Sequence, residues 1–147
     1  MATTKLARKL PAPRSYDLGA LFDAAKAVSK NAYAPYSRFR VGAALLSANG
    51  TVHVGCNVEN IAYPIGTCAE AGAIAAARAA EGAGLEAVAI AIYAEKEGEG
   101  HVACTPCGAC RQRILELSPA TTVHFYGLGD KVVSVTAADL LPHAFTF

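Results

Sequence analysis

Two short segments constrain the fold of this chain more than any others. Cys68-Ala69-Glu70 and Pro106-Cys107-Gly108-Ala109-Cys110 place three thiols and one carboxylate at the predicted starts of two helices. Residues i and i+2 do not face the same way on a regular helix. Cys68 and Glu70 therefore cannot share a ligand beside a helix barrel, but both can converge on something lying off its N-terminal end. Cys107 and Cys110, at i and i+3, can converge there too. A fold that uses these four residues together must aim two helix N-termini at one point. Each helix end brings a positive dipole and free N–H groups, which stabilise thiolates and lower their pKa.

Three thiolates suit zinc. Structural zinc sites close with four protein ligands, whereas catalytic sites keep one position open for water. Three soft ligands with a carboxylate nearby point to hydrolysis by a zinc-activated water. The competing readings are simpler. Cys-x-x-Cys alone also marks structural zinc or a redox pair, and Cys104, Cys56 or His101 could close a structural site. Cys104-x-x-Cys107-x-x-Cys110 resembles part of an iron–sulfur run, but Ile114 stands where the next cysteine belongs. Cys-x-Glu, and the proline before Cys107, favour the catalytic reading. Cys56 and Cys104 then read as buried or loop thiols, and His53, His101, His124 and His143 as ordinary histidines. Three thiolates with Zn²⁺ sum to −1, so a positive group should compensate. Helix ends and Arg111 are the candidates.

Periodicity places these segments in a single domain. Asp17 to about Lys30 reads as a helix, with Leu18, Leu21, Phe22, Ala25 and Val28 at helical spacing and Ser15 or Asp17 as cap. Phe39–Leu46 and Thr51–Val58 read as strands joined by a two-residue Asn49-Gly50 hairpin turn. An Ala-rich helix runs from Cys68 to about Ala80 and ends at Gly82 and Gly84. Val88–Tyr93 is apolar at nearly every position, as for a strand buried on both faces. Glu95–Gly100 reads as a loop, and Gly108–Leu117 as a helix stopped by Ser118-Pro119. Thr121–Tyr126 and Val132–Val135 read as strands, with Thr136 capping a short helix that ends near Leu141-Pro142. The order α-β-β-α-β-α-β-β predicts an α/β fold with one mixed sheet and helices packed on its faces. Residues 1–15 read as a flexible arm carrying Lys5, Arg8, Lys9 and Arg14, and residues 16–147 as the domain.

Composition narrows the partners. The chain has 147 residues and a formal net charge of +1, so no basic field draws it to nucleic acid or anionic membrane. No apolar stretch approaches the roughly 20 residues of a membrane span. An odd count of five cysteines and no export signal predict a reducing, cytoplasmic compartment. The hydrophobic fraction of 53% against a charged fraction of 17% suggests burial between subunits.

The motifs together resemble the short, single-domain, homotetrameric cytidine deaminases that bind zinc through three cysteines. Their relatives carry the signature H-x-E…P-C-x-x-C, with Cys68 here in place of His. Tyr33-Ala34-Pro35-Tyr36-Ser37, Phe39, Val41–Leu45, Asn57-Val58-Glu59-Asn60, Tyr63 and Leu140-Leu141-Pro142 also match, in the same order. The resemblance implies a three-layer α/β/α fold with a mixed five-stranded sheet. It implies one Zn²⁺ per subunit on Cys68, Cys107 and Cys110. It also implies hydrolysis of cytidine and 2′-deoxycytidine to uridine and 2′-deoxyuridine, with Glu70 as proton shuttle. Asn57 and Glu59 resemble the ribose-binding pair, and Phe39 the aromatic near the base. Ala69 joins the substrate-contacting set, and Tyr63 and Phe145 resemble residues that complete a neighbouring subunit's pocket. Each has a plainer structural reading as strand end, core residue or packed terminus. Many three-cysteine relatives follow the glutamate with arginine, but this chain has Ala71. Blasticidin S deaminases lack the glutamate of the ribose pair. A polynucleotide deaminase would need a basic, aromatic strand-binding surface. A non-catalytic zinc module would leave Glu70 without a role.

Overall fold

The computed structural model describes residues 15–146. The basic segment at Lys5, Arg8, Lys9 and Arg14, and Phe147 at the other end, lie outside the described residues. The described residues hold four α-helices: α1 (Leu18–Ser29), α2 (Ala69–Glu81), α3 (Gly108–Leu117) and α4 (Ala137–Leu140). Six strands accompany them: β1 (Phe39–Ser47), β2 (Val52–Cys56), β3 (Ala87–Lys96), β4 (Gly100–His101), β5 (Thr122–Tyr126) and β6 (Val132–Thr136).

The strands form one mixed sheet in the order β2-β1-β3-β5-β6, with β4 paired to the end of β3. Among the strands of the described residues only β3 and β5 pair in parallel, and α3 lies in the crossover between them. The expected five strands are all there. The sixth, β4, falls at the end of the segment read as a loop. There β3 continues past Tyr93 to Lys96 and turns back, pairing Glu95 with His101. Charged residues disguised that extension, because the end of β3 leaves the core. The β1–β2 turn also differs from expectation. Ser47 N–H donates to Thr51 O at 2.9 Å, which leaves Ala48, Asn49 and Gly50 as a three-residue loop. Gly50 sits at φ 90°, the left-handed position such loops require.

Alternation along β1 and β3 gives two cores. Leu45, Ile90 and Ile92 pack with Ala73, Ala77 and Ile114 on the side of α2 and α3. Ala44, Ala89, Ala91 and Tyr93 pack with Leu21, Phe22 and Ala25 of α1 on the other side. This is the three-layer α/β/α arrangement. Small residues set the layer spacing. A Cβ on Gly42 would lie 1.9 Å from Ala25 O, and one on Gly55 would lie 2.2 Å from Ala73 N. The helices consequently sit almost on the sheet backbone. Asp17 caps α1 by accepting from Ala20 N–H at 3.0 Å. Thr136 and Asp139 form a capping box on α4.

Strand directions fix where function collects. The start of β1, the end of β2, the end of β3, and the first turns of α2 and α3 all open on the same edge of the sheet.

Candidate active site

Cys68 is the N-cap of α2 and Cys107 the N-cap of α3. Both have extended backbones, with φ −74° and −66°, so their side chains project beyond the helix ends. Cys110, one turn into α3, is fully buried. The three Sγ atoms lie within 4.8 Å of one another, as a shared ion requires. Cys68 and Cys107 are 3.8 Å apart at sulfur. Tetrahedral zinc with Zn–S near 2.3 Å sets S···S at about 3.8 Å, so the cluster fits that ion. Among the described residues neither Cys104 nor Glu70 belongs to the group.

Electrostatics carries the same mark. Burial, then the neighbouring Cys107 charge, pushes the Cys68 thiol up. Burial, then Glu70, pushes Cys110 up further. Cys107 is opposed by burial, yet hydrogen bonds from the Cys110 N–H, the Cys110 thiol and Cys68 hold it below the ordinary thiol value. Three thiolates packed this closely need a cation, which inverts the local pKa order. Cys104 lies apart from the triad in the preceding loop, where burial pushes its thiol up to about 12. It is the loop thiol expected from sequence, and it also lines the cavity described below.

Glu70 is 4% exposed at the second position of α2. Burial raises its carboxyl above the usual carboxylate range, while its own backbone N–H, the Cys110 thiol and the charge of Arg113 pull it down. Burial thus favours the protonated form of this carboxyl, beside the thiol cluster, relative to a free one.

A cavity of about 390 Å³ opens in front of these residues. Phe39, Asn57, Glu59, Tyr63, Ala69 and Glu70 all line it, together with Cys68 and Cys107. The structure thus brings nine of the ten sequence-selected site residues to one place, Cys110 lying directly behind. Phe145 does not line this cavity. It is 72% exposed, and its main chain is held by Gln112.

The polar wall is built from main-chain contacts. The Asn57 side chain accepts from Val41 N–H at 2.8 Å and donates to Phe39 O at 2.8 Å, extending the β1 ladder by a side-chain amide. One Nδ2 hydrogen remains for another acceptor. Glu59 accepts from the N–H groups of Tyr36 and Ser37 at 3.0 and 3.2 Å, and from the Ser37 hydroxyl. The Ser37 hydroxyl, aided by those N–H groups against the effect of burial, holds the Glu59 carboxyl below its ordinary range. Ser37 in turn accepts from Phe39 N–H at 3.0 Å. Sequence reading gave Ser37 and Arg113 no role. Ser37 was visible as part of the Tyr33–Ser37 match, but nothing in sequence marks Arg113.

The family model for the cytidine and deoxycytidylate deaminase zinc-binding region matches residues 16–126. A cytidine deaminase of Halalkalibacterium halodurans is 45% identical over 118 residues, covering 80% of this chain and 85% of the relative. The crystal structure of cytidine deaminase from Burkholderia pseudomallei superposes with TM-score 0.77 at 45% identity, over 88% of this chain and 100% of that one. The cytidine deaminase of Mycobacterium tuberculosis superposes with TM-score 0.75 at 34% identity, over 90% and 100%. With the family model matched over residues 16–126, relatives 45% identical over most of the chain and the fold shared, the chain belongs to the cytidine deaminase family.

Proposed function

We infer that this protein hydrolyses cytidine and 2′-deoxycytidine to the corresponding uridines, releasing ammonia. The observation that carries the reading is the convergence of three thiols and a buried Glu70 on one nucleoside-sized cavity. Zinc, held by Cys68, Cys107 and Cys110, supplies Lewis-acid activation of the attacking water when bound. Glu70 would take a proton from the attacking water and place it on N3 of the pyrimidine, then take the second proton from the new C4 hydroxyl and place it on the leaving amine. Its burial favours holding a proton more than a free carboxylate would. Glu59, held ionised by Ser37 and loop N–H groups, presents acceptor oxygens to the ribose hydroxyls. The free Nδ2 hydrogen of Asn57 donates beside it. Phe39 packs against the base.

The catalytic unit is residues 16–147, preceded by the basic arm, and works in the cytoplasm as a homotetramer. Tyr63, which lines the cavity, is 72% exposed, and its sequence neighbours Ile61 and Ile65 are 75% and 66% exposed, which supports burial by neighbouring subunits. Phe145, exposed and outside its own cavity, completes a neighbour's pocket in this reading. No helix among the described residues is long and apolar enough to cross a membrane.

The test is uridine formation from cytidine, with and without a zinc chelator, run in parallel with blasticidin S. Chelator-sensitive turnover of cytidine alone is expected. Turnover of blasticidin S in preference would reassign the substrate, and no turnover of either would leave a structural zinc module.

A further inference from the structure

Arg111 follows the ligand Cys110, and sequence reading offered it as a charge to offset the thiolates. Its guanidinium is engaged elsewhere. Nε donates to Pro106 O at 2.9 Å, Nη2 to Thr105 Oγ1 at 3.1 Å, and Nη1 to Leu140 O at 3.3 Å. Pro106 immediately precedes Cys107 and is fully buried. A buried carbonyl needs a partner, and Arg111 is the donor that reaches it. The fork therefore grips the last two residues before Cys107 from the helix that carries Cys110. Its third bond holds the end of α4. The next residue, Gln112, continues this grip. Gln112 donates to Phe145 O at 3.1 Å and accepts from Phe145 N–H at 3.3 Å.

We propose that Arg111 is a positioning residue that fixes Cys107 relative to Cys110, and that Arg111 and Gln112 together strap the C-terminal segment to the metal-bearing helix. One guanidinium thus serves two tasks. It holds the loop that presents a metal ligand, and it holds the start of the tail that ends in Phe145. Gln112 serves only the second. A lysine cannot replace the fork, because its donors share one atom and cannot span three separated oxygens. The inference rests on the reading of Cys68, Cys107 and Cys110 as zinc ligands.

Three measurements on the full zinc-loaded chain test it: the rate of zinc release to a chromogenic chelator, the ligand-field spectrum of the cobalt-substituted protein, and amide hydrogen exchange over 141–146. Wild type and Cys110→Ala come first. If wild type holds no zinc, or Cys110→Ala holds it fully, the ligand reading itself fails, independently of Arg111. Arg111→Ala and Arg111→Lys are both expected to release zinc about 10–100-fold faster, with altered cobalt bands and faster exchange in the tail. Gln112→Ala is expected to keep the wild-type release rate and cobalt bands, with faster exchange confined to the tail. A variant that is merely less stable would leave the cobalt bands of its folded fraction unchanged. Should Arg111→Ala not fold, Arg111→Lys carries the test. Wild-type release and bands in Arg111→Lys, or altered bands in Gln112→Ala, overturn the proposal.

Discussion

Glu70 sits where a helix start, a buried thiol and an open cavity meet. Its carboxyl must gain and lose protons, which an amide cannot do. Glu70→Gln should retain zinc and fold while losing about 10²–10⁴-fold in kcat, given typical acid–base contributions. Metal analysis with initial rates on cytidine checks this, and near-normal turnover would remove Glu70 from the shuttle role. This residue and the three cysteines were legible in sequence because ligand spacing and helix starts are local properties. Ser37 was not. Its function is to anchor Glu59, a residue 22 positions away, and only the folded chain brings them together. Asn57 was selected for an amide beside the ribose, and the same amide also completes the β1 ladder at Phe39 and Val41. A polar side chain at a strand end can serve both purposes, and sequence alone shows neither partner.

At the scale of elements, two glycines differ in what lies beyond them. Gly42 faces α1 and Gly55 faces the first turns of α2, each at a distance that a methyl group would close. Gly42→Ala and Gly55→Ala should each cost at least about 2 kcal/mol by overpacking, measured by denaturant unfolding. Gly55→Ala should also lower kcat in the folded fraction, because its methyl pushes on Ala69 O, between Cys68 and Glu70. Gly42→Ala should spare kcat. If both variants lose kcat equally, the α2 contact is not what sets site geometry. Strand pairing adds a pH dependence. His124 on β5 bonds Tyr16 Oη at 2.6 Å and Ser134 Oγ at 2.7 Å. Burial lowers its pKa from the ordinary 6.5. The unfolded chain then binds the proton more readily, so stability is full above about 6.5 and falls as pH drops toward the folded value. His124→Gln should flatten that slope in melting temperature against pH, and an unchanged slope would assign it to other groups. Helices and strands were read correctly from their apolar periods. The extra strand and the three-residue turn were not, because charged strand ends and loop closure depend on pairing rather than pattern.

For the molecule as a whole, the exposed apolar rim and the tail make one prediction. Deleting 145–147 should lower activity and weaken assembly together, read by sedimentation and by rates at matched concentrations. Normal assembly with normal rates would leave Phe145 a simple terminus. In sequence, a homotetramer is an expectation that rests on the resemblance, with the apolar content as support. The strap at Arg111 and Gln112 was invisible there, since its acceptors are main-chain oxygens. Finally, the thiol cluster joins positions 39 residues apart in sequence. An ion at that point is a reversible cross-link that closes a long loop of the unfolded chain, reducing its entropy much as a disulfide does. Because the link forms only with the ion bound, the protein's resistance to unfolding should follow zinc supply. Metal scarcity would then lower the amount of enzyme as well as its activity.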